Sequence, residues 1–239
     1  MIRLPVLVGL ALRELWITFR LIPMLVLPVL AGLVEAVVPP ELSGLSAVGG
    51  AGFWFAASLS VAVAVVAALG AWSIASECAG GTAAWVVVRA VPRSTILVSW
   101  FVALAILLAV GIGLGGIGAW LTVLERAETT PDPIPFTAAV GATLATALAA
   151  AALGLLIGTL LGRRSAALVS LVVVGAVFGL AVAGPLAMPP LPTAGLGVLA
   201  DLDHASRPVS DAIRSAGSAL AAASVLLVLG AVLMERRDL

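Results

Sequence analysis

The sequence has 239 residues, of which 62% are hydrophobic and 10% are charged, and its formal net charge at neutral pH is zero. Soluble domains have about 25% charged residues, and so few charges cannot cover a water-exposed surface of this size. The composition excludes a water-soluble fold, and the balanced charge gives no basis for nucleic-acid binding.

All twelve basic residues are arginine, because the sequence contains no lysine. A phosphate-binding loop of the G-x-x-x-x-G-K-[ST] type requires a lysine that contacts the phosphates. We therefore predict that these residues form no ATPase site and that the chain is not itself an enzyme. With a single histidine and no aspartate in its apolar runs, the sequence also lacks the residues of intramembrane metal and aspartyl proteases.

The first predicted element is an interfacial helix over residues 4–20. The segment is mostly apolar, but Arg13 and Arg20 are seven residues apart and share a helical face. From a helix that lies in the membrane interface, both side chains reach the lipid headgroups. The alternative is that the segment simply extends the first membrane span.

Six apolar runs follow, each long enough to cross a hydrocarbon core of roughly 30 Å as a helix. The runs are continuous rather than alternating in polarity, which favours helices over barrel strands. The predicted spans are residues 21–38, 53–74, 95–121, 136–161, 166–186 and 219–234, and residues 187–218 form a predicted extracytoplasmic loop.

The arginines predict the orientation of these spans. If both termini face the cytoplasm, nine of the twelve arginines lie on that side, whereas the opposite orientation leaves three there. The nine are arginines 3, 13, 20, 89, 93, 163, 164, 236 and 237. Because positive charge is retained on the cytoplasmic side, we predict that both termini are cytoplasmic.

A short segment between spans two and three is neither a span nor an ordinary loop. Gly80 and Gly81 break the helix that leaves span two, and Pro92 stops the next helix. Thr82 is a suitable N-cap, so a short helix is predicted over residues 82–91. On the cytoplasmic side, such a helix can lie parallel to the membrane and contact a soluble partner.

This organisation resembles the permease subunits of type-2 ABC exporters, in which a separate polypeptide is the ATPase. The matching features are the N-terminal stretch 12–20, Pro28 in span one, Glu77, Gly81 with Thr82, Pro92 with Arg93, and the prolines 189, 190 and 192 with Arg214 before the last span. The resemblance covers the organisation of the whole chain as one permease domain, residues 1–239.

The resemblance implies a bacterial cytoplasmic-membrane protein that exports a hydrophobic or amphipathic substrate, such as a drug in multidrug efflux, an antibiotic, a lipid or a peptide. The chain would pair with a second permease, identical or homologous, and with two ATPase subunits that bind ATP and Mg. Residues 82–91 would be the coupling helix that docks on the ATPase. The coupling residues implied are Glu77, Gly80, Gly81, Thr82, Arg89, Pro92 and Arg93. The segment 82–91 is more apolar than the resemblance leads one to expect.

Several residues have a simple structural interpretation beside a functional one. Glu77 is either an anchor for the coupling segment, paired with an N-terminal arginine, or a solvated helix end. The glycines at 111, 113 and 116 spell G-x-G-x-x-G but lie inside a span, where no nucleotide site forms. We interpret two G-x-x-x-G pairs instead as helix-packing sites, namely Gly111 with Gly115 and Gly175 with Gly179.

No metal site is predicted. His204 has several aspartates near it in sequence, but an isolated histidine in a polar loop is usually solvated. Cys78 is interpreted as a small packing residue rather than a reactive thiol, and a single cysteine allows no intrachain disulfide. The alternative function for the whole chain is a non-catalytic membrane scaffold within a larger complex.

Overall fold

The computed structural model describes residues 4–38, 45–80, 92–128, 130–161, 163–182 and 193–236. These residues form eight helices and, within those ranges, no strand. The helices are α1 (Leu4–Ile17), α2 (Leu21–Val37), α3 (Ala47–Gly80), α4 (Arg93–Arg126), α5 (Pro133–Leu160), α6 (Arg163–Val182), α7 (Ala194–Ala200) and α8 (Pro208–Arg236). The predicted all-helical fold is confirmed for this part of the chain.

The helices α3, α4, α5, α6 and α8 are each long and apolar enough to cross a membrane. A sixth span results if α1 and α2 are taken together. The chain is therefore a multi-pass membrane protein with five or six spans. α2 alone has 17 residues and is about 25 Å long, which is slightly less than the hydrocarbon thickness.

The longest helices extend well beyond the apolar runs from which they were predicted. α3 and α4 have 34 residues each, or about 50 Å of helix, against a hydrocarbon core of roughly 30 Å. The predicted spans 53–74 and 95–121 lie entirely inside them. Hydropathy detects only the apolar part of a helix, whereas backbone hydrogen bonding continues into the flanking residues.

A sharp corner separates α1 from α2, which meet at an angle of 83°. Phe19 in this corner has a φ of 56°, in the left-handed region that non-glycine residues seldom adopt. Before it, the Thr18 hydroxyl donates to the Glu14 carbonyl oxygen at 2.7 Å. α1 is consequently not a straight extension of α2 and instead runs across the end of the bundle, where it packs on α4.

α5 lies at the centre of the bundle and packs against α3, α4, α6, α7 and α8. Its face toward α8 consists of small buried side chains. The contacting alanines are Ala145, Ala149 and Ala152 on α5 with Ala219 and Ala223 on α8. Small residues let helix backbones approach closely, which is a main source of helix association in lipid.

α6 and α8 lie at the periphery. Only 28% and 22% of their most apolar windows are buried, against 56% or more in α3, α4 and α5. The outward faces carry exposed aliphatic side chains such as Val172 on α6 and Val228 on α8. In a bilayer these faces contact lipid or another subunit.

The predicted loop 187–218 contains helical structure and requires correction. α8 begins at Pro208, and α7, whose residues 194–199 are all buried, packs between α3 and α5. The Thr143 hydroxyl donates to the Gly195 carbonyl at 3.0 Å, about 15 Å along α5 from its start. α7 therefore lies inside the bundle. The hydropathy analysis missed it because seven residues are too few for a span.

Candidate functional site

A cleft of about 290 Å³ lies at one end of the bundle, between α1, the end of α3 and the start of α4. Its walls are mainly apolar and include Leu7, Ile96 and the buried Trp100. Its polar lining residues are Arg13 and Glu14 from α1, Glu77 from α3 and Ser99 from α4. The fold thus brings the N-terminal helix together with both helices that flank residues 81–91.

Arg20 connects the α1–α2 corner to the same end of α3. Its Nη1 donates to Ser73 Oγ at 3.0 Å, and its guanidinium carbon lies 4.5 Å from the ring centroid of Trp72. Such a cation–π contact is worth about 0.5–2 kcal/mol, depending on desolvation. Ser73 precedes Glu77 by one helical turn, so this arginine binds α3 directly beside the cleft.

The predicted coupling residues divide into those that the structure describes and those that it does not. Glu77 lines the cleft, Gly80 is the last residue of α3, and Pro92 directly precedes α4. Arg93 is the half-buried first residue of α4. The predicted helix 82–91, with Gly81, Thr82 and Arg89, lies outside the described residues. Pairing of Glu77 with an N-terminal arginine stays a prediction.

The first turn of α4 is hydrogen-bonded to a side chain at the end of α8. The Ser94 amide donates to Glu235 Oε1 at 3.1 Å, and Glu235 lies in the last turn of α8. A helix N-terminus leaves amide groups without an intrahelical acceptor and favours negative charge nearby. The end of α8 therefore stabilises the helix that follows the predicted coupling segment.

The first G-x-x-x-G pair lies at a close contact between α4 and α2. A Cβ added at Gly115 would lie 2.4 Å from the Pro28 carbonyl oxygen, and one at Gly111 would lie 3.1 Å from the Pro28 side chain. From the opposite side, a Cβ at Gly32 would lie 1.9 Å from the Gly115 carbonyl oxygen. Only glycine allows this approach of the two backbones.

The second predicted pair does not pack in this way. A Cβ added at Gly175 would be at ordinary van der Waals distance from Ala64, and one at Gly179 would meet no atom of the described residues within 4 Å. Gly175 faces α3 without a close backbone approach, and Gly179 is exposed. Helix packing through this pair therefore stays a prediction.

A third G-x-x-x-G pair, which the sequence analysis missed, joins α5 to α3. A Cβ at Gly154 would lie 2.4 Å from the Ala67 carbonyl oxygen, and one at Gly158 would lie 2.5 Å from the Ala71 carbonyl oxygen. The signal was present on both partners, since Ala67 and Ala71 have the same four-residue spacing as the glycines.

A buried ion pair joins α2 to α4 at the other end of the bundle. Arg126 Nη1 lies 3.3 Å from Glu35 Oε1, and Glu35 is 5% exposed. Arg126 Nη2 also donates to the carbonyl oxygens of Glu35, at 2.7 Å, and Val38, at 3.1 Å. The one acidic residue inside the first apolar run could have indicated this site, because a charge buried in an apolar helix requires a partner.

The start of α3 lies at this same end and receives a carboxylate from the loop between α7 and α8. Asp203 Oδ2 accepts from the Ser46 amide at 2.8 Å, and its other oxygen accepts from the Ser46 hydroxyl. The Ser46 oxygen in turn accepts from the Gly49 amide at 3.0 Å, as an N-cap does. Nearby, His204 contacts Asp201 at 3.0 Å on an exposed surface.

No group of three or more potential metal ligands occurs among the residues that the structure covers. A scan against models of known protein families finds no match to the chain. A search of curated proteins likewise finds no match.

Proposed function

We propose that this chain is the membrane subunit of an ATP-driven exporter whose ATPase is a separate polypeptide. The multi-pass helical fold supports this function, as does the resemblance of the sequence to type-2 ABC permeases. The absence of lysine from these 239 residues leaves no phosphate-loop lysine, so nucleotide energy has to come from a partner. The proposed membrane is the bacterial cytoplasmic membrane, with both termini inside.

The observation on which the proposal rests is the convergence of α1, the end of α3 and the start of α4 around one cleft. Residues 81–91 connect two helices of 34 residues each at this end. A force applied to that connection acts on the ends of two long helices, and the Arg20 contacts pass it to the α1–α2 corner. Proposed coupling by residues 82–91 requires such a mechanical connection.

Purification of the tagged chain from its native membranes in a mild detergent tests the proposal. Mass spectrometry of the bound proteins is expected to identify an ATPase with a phosphate-binding loop. The recovered complex is expected to hydrolyse ATP. Recovery of a stable complex that contains no nucleotide-binding subunit would contradict the proposal and favour the scaffold alternative.

Two variants test the coupling residues. Gly81→Pro and Glu77→Ala are expected to reduce ATPase binding or substrate-stimulated ATP hydrolysis, whereas Glu125→Ala, at the opposite end of α4, is the matched control. The membrane level of each variant is measured in parallel to separate folding from coupling. Full coupled activity in both variants would show that this segment does not couple ATP hydrolysis to transport.

A further inference from the structure

The cleft beneath α1 opens onto an apolar surface. Leu10 and Ile17 line the cleft and are also 52% and 57% exposed. The neighbouring Val6 and Trp16 on α1 are exposed as well. A ligand whose polar part occupies the cleft can therefore keep an apolar tail against α1 and in the surrounding lipid.

The polar lining of the cleft carries both signs of charge. Arg13 supplies a cation and Glu14 supplies a carboxylate, whereas Glu77 already has an interaction within the protein. The Ser99 hydroxyl donates to the Ile96 carbonyl oxygen at 2.7 Å, so its oxygen retains acceptor capacity. This set complements a ligand that presents an anionic group and a hydrogen-bonding ammonium group together.

The volume and the charge of the cleft narrow the class of ligand that it can bind. A cleft of 290 Å³ corresponds to about ten water molecules of liquid volume, which is room for a headgroup but not for a whole diacyl lipid. A purely anionic headgroup would leave the Glu14 carboxylate beside a charge of the same sign, which disfavours anionic lipids. A quaternary ammonium has no N–H to donate to the Glu14 carboxylate or to Ser99, so a primary amine fits better.

We propose that this cleft binds the headgroup of a zwitterionic phospholipid with a primary amine, whose phosphate pairs with Arg13 and whose ammonium group pairs with Glu14. The acyl chains remain in the bilayer beside Leu10 and Ile17. The lipid would hold α1 against α3 and α4. This inference depends only on the membrane location of the chain and not on an ATPase partner.

Native mass spectrometry of the full-length chain, purified without partners, tests the inference. The protein is equilibrated with an equimolar mixture of phosphatidylethanolamine, phosphatidylcholine and phosphatidylglycerol of identical acyl chains, and the retained lipid is quantified. Phosphatidylethanolamine is expected to dominate. Glu14→Gln removes one charge without changing side-chain size and is expected to weaken its retention about tenfold, as for the loss of a charge-assisted hydrogen bond.

Arg13→Gln provides a second variant and is expected to weaken retention of phosphatidylethanolamine similarly, through the phosphate. Glu125→Gln and Arg214→Gln, both on exposed positions outside the cleft, are the matched controls and should retain wild-type binding. Equal retention of the three lipids by the wild type, or wild-type retention by both cleft variants, would overturn the proposal. Retention of none of the three lipids, together with saturable binding of tetraphenylphosphonium, would instead identify the cleft as a site for lipophilic cations and would also overturn the proposal.

Discussion

One guanidinium nitrogen of Arg126, Nη1, contacts the Glu35 carboxylate. The other, Nη2, donates to two backbone carbonyl oxygens at the end of α2, those of Glu35 and Val38. The last carbonyl groups of a helix have no partner within the helix, and arginine is a suitable donor to them. Arg126 therefore has two roles, since it compensates the buried charge of Glu35 and caps α2 from a residue in α4.

Removal of this guanidinium is expected to destabilise the protein strongly. Arg126→Ala would leave the Glu35 carboxylate buried without its cation and the end of α2 without a cap. Breaking a buried pair from one side costs about 3–5 kcal/mol, and the partial exposure of Arg126, 24% of its side chain, places the expected loss near the lower figure. Equilibrium unfolding in mixed detergent micelles measures it.

The neighbouring Glu125 is exposed and provides the control for this measurement. Glu125→Ala is expected to change the free energy of unfolding by less than about 0.5 kcal/mol, as for most surface substitutions. An Arg126→Ala variant as stable as Glu125→Ala would show that the ion pair does not contribute to stability.

Two glycines in α4 are expected to respond oppositely to alanine. In Gly115→Ala the new methyl would lie 2.4 Å from a backbone oxygen of α2, so α2 and α4 must separate, at a cost of about 1–3 kcal/mol or more. The methyl of Gly113→Ala would meet no atom of the described residues within 4 Å, and this substitution should stabilise the helix by up to about 1 kcal/mol. Thermal unfolding of the two variants side by side measures the difference, and equal melting temperatures would refute the close packing.

Loss of the carboxylate that caps α3 is expected to loosen the start of that helix. Asp203→Ala removes the acceptor of the Ser46 amide and hydroxyl, with an expected cost of about 1 kcal/mol. Hydrogen exchange should accelerate at residues 46–50. Asp201→Ala, which removes only an exposed contact to His204, is the control and should leave this exchange unchanged. Equal exchange in both variants would argue against the cap.

The proposed orientation can be measured by cysteine labelling. Ser206 is exposed in the loop before α8. In a Cys78→Ala background, the thiol of Ser206→Cys is expected to react with a membrane-impermeant maleimide in intact cells. Leu4→Cys on α1 should react only after the membrane is permeabilised. The reverse pattern would place the α1 end outside, where no cytoplasmic ATPase could bind it.

Much of the fold follows from hydropathy, because a bilayer demands apolar helices of known length. The predicted spans lie within or overlap the helices α2 to α6 and α8. What the sequence did not predict depends on contacts between distant segments. The Asp203 contact with Ser46 and the Glu235 contact with Ser94 span 157 and 141 residues, and no local pattern specifies them.

The candidate site, like the fold, was predicted from the sequence only in part. The position of Glu77 near the end of a span indicated the relevant end of the bundle. The pairing suggested for Glu77 pointed to an N-terminal arginine, but a cleft lined by Arg13 and Glu14 could not be predicted, because that arrangement depends on the 83° corner at Phe19. Phenylalanine has no special preference for a left-handed conformation, so the corner has no local signature.

The caps from distant segments have a consequence for biosynthesis. The starts of α3 and α4 enter the bilayer early in translation, yet the carboxylates that satisfy them belong to Asp203 and Glu235, which leave the ribosome 157 and 141 residues after their partners. Until then, a nascent chain exposes unpaired amides at two helix ends to the headgroup region. Stable packing of these two helix starts is therefore expected to await the insertion of α8, and early termination before residue 203 should yield a product that cellular quality control removes.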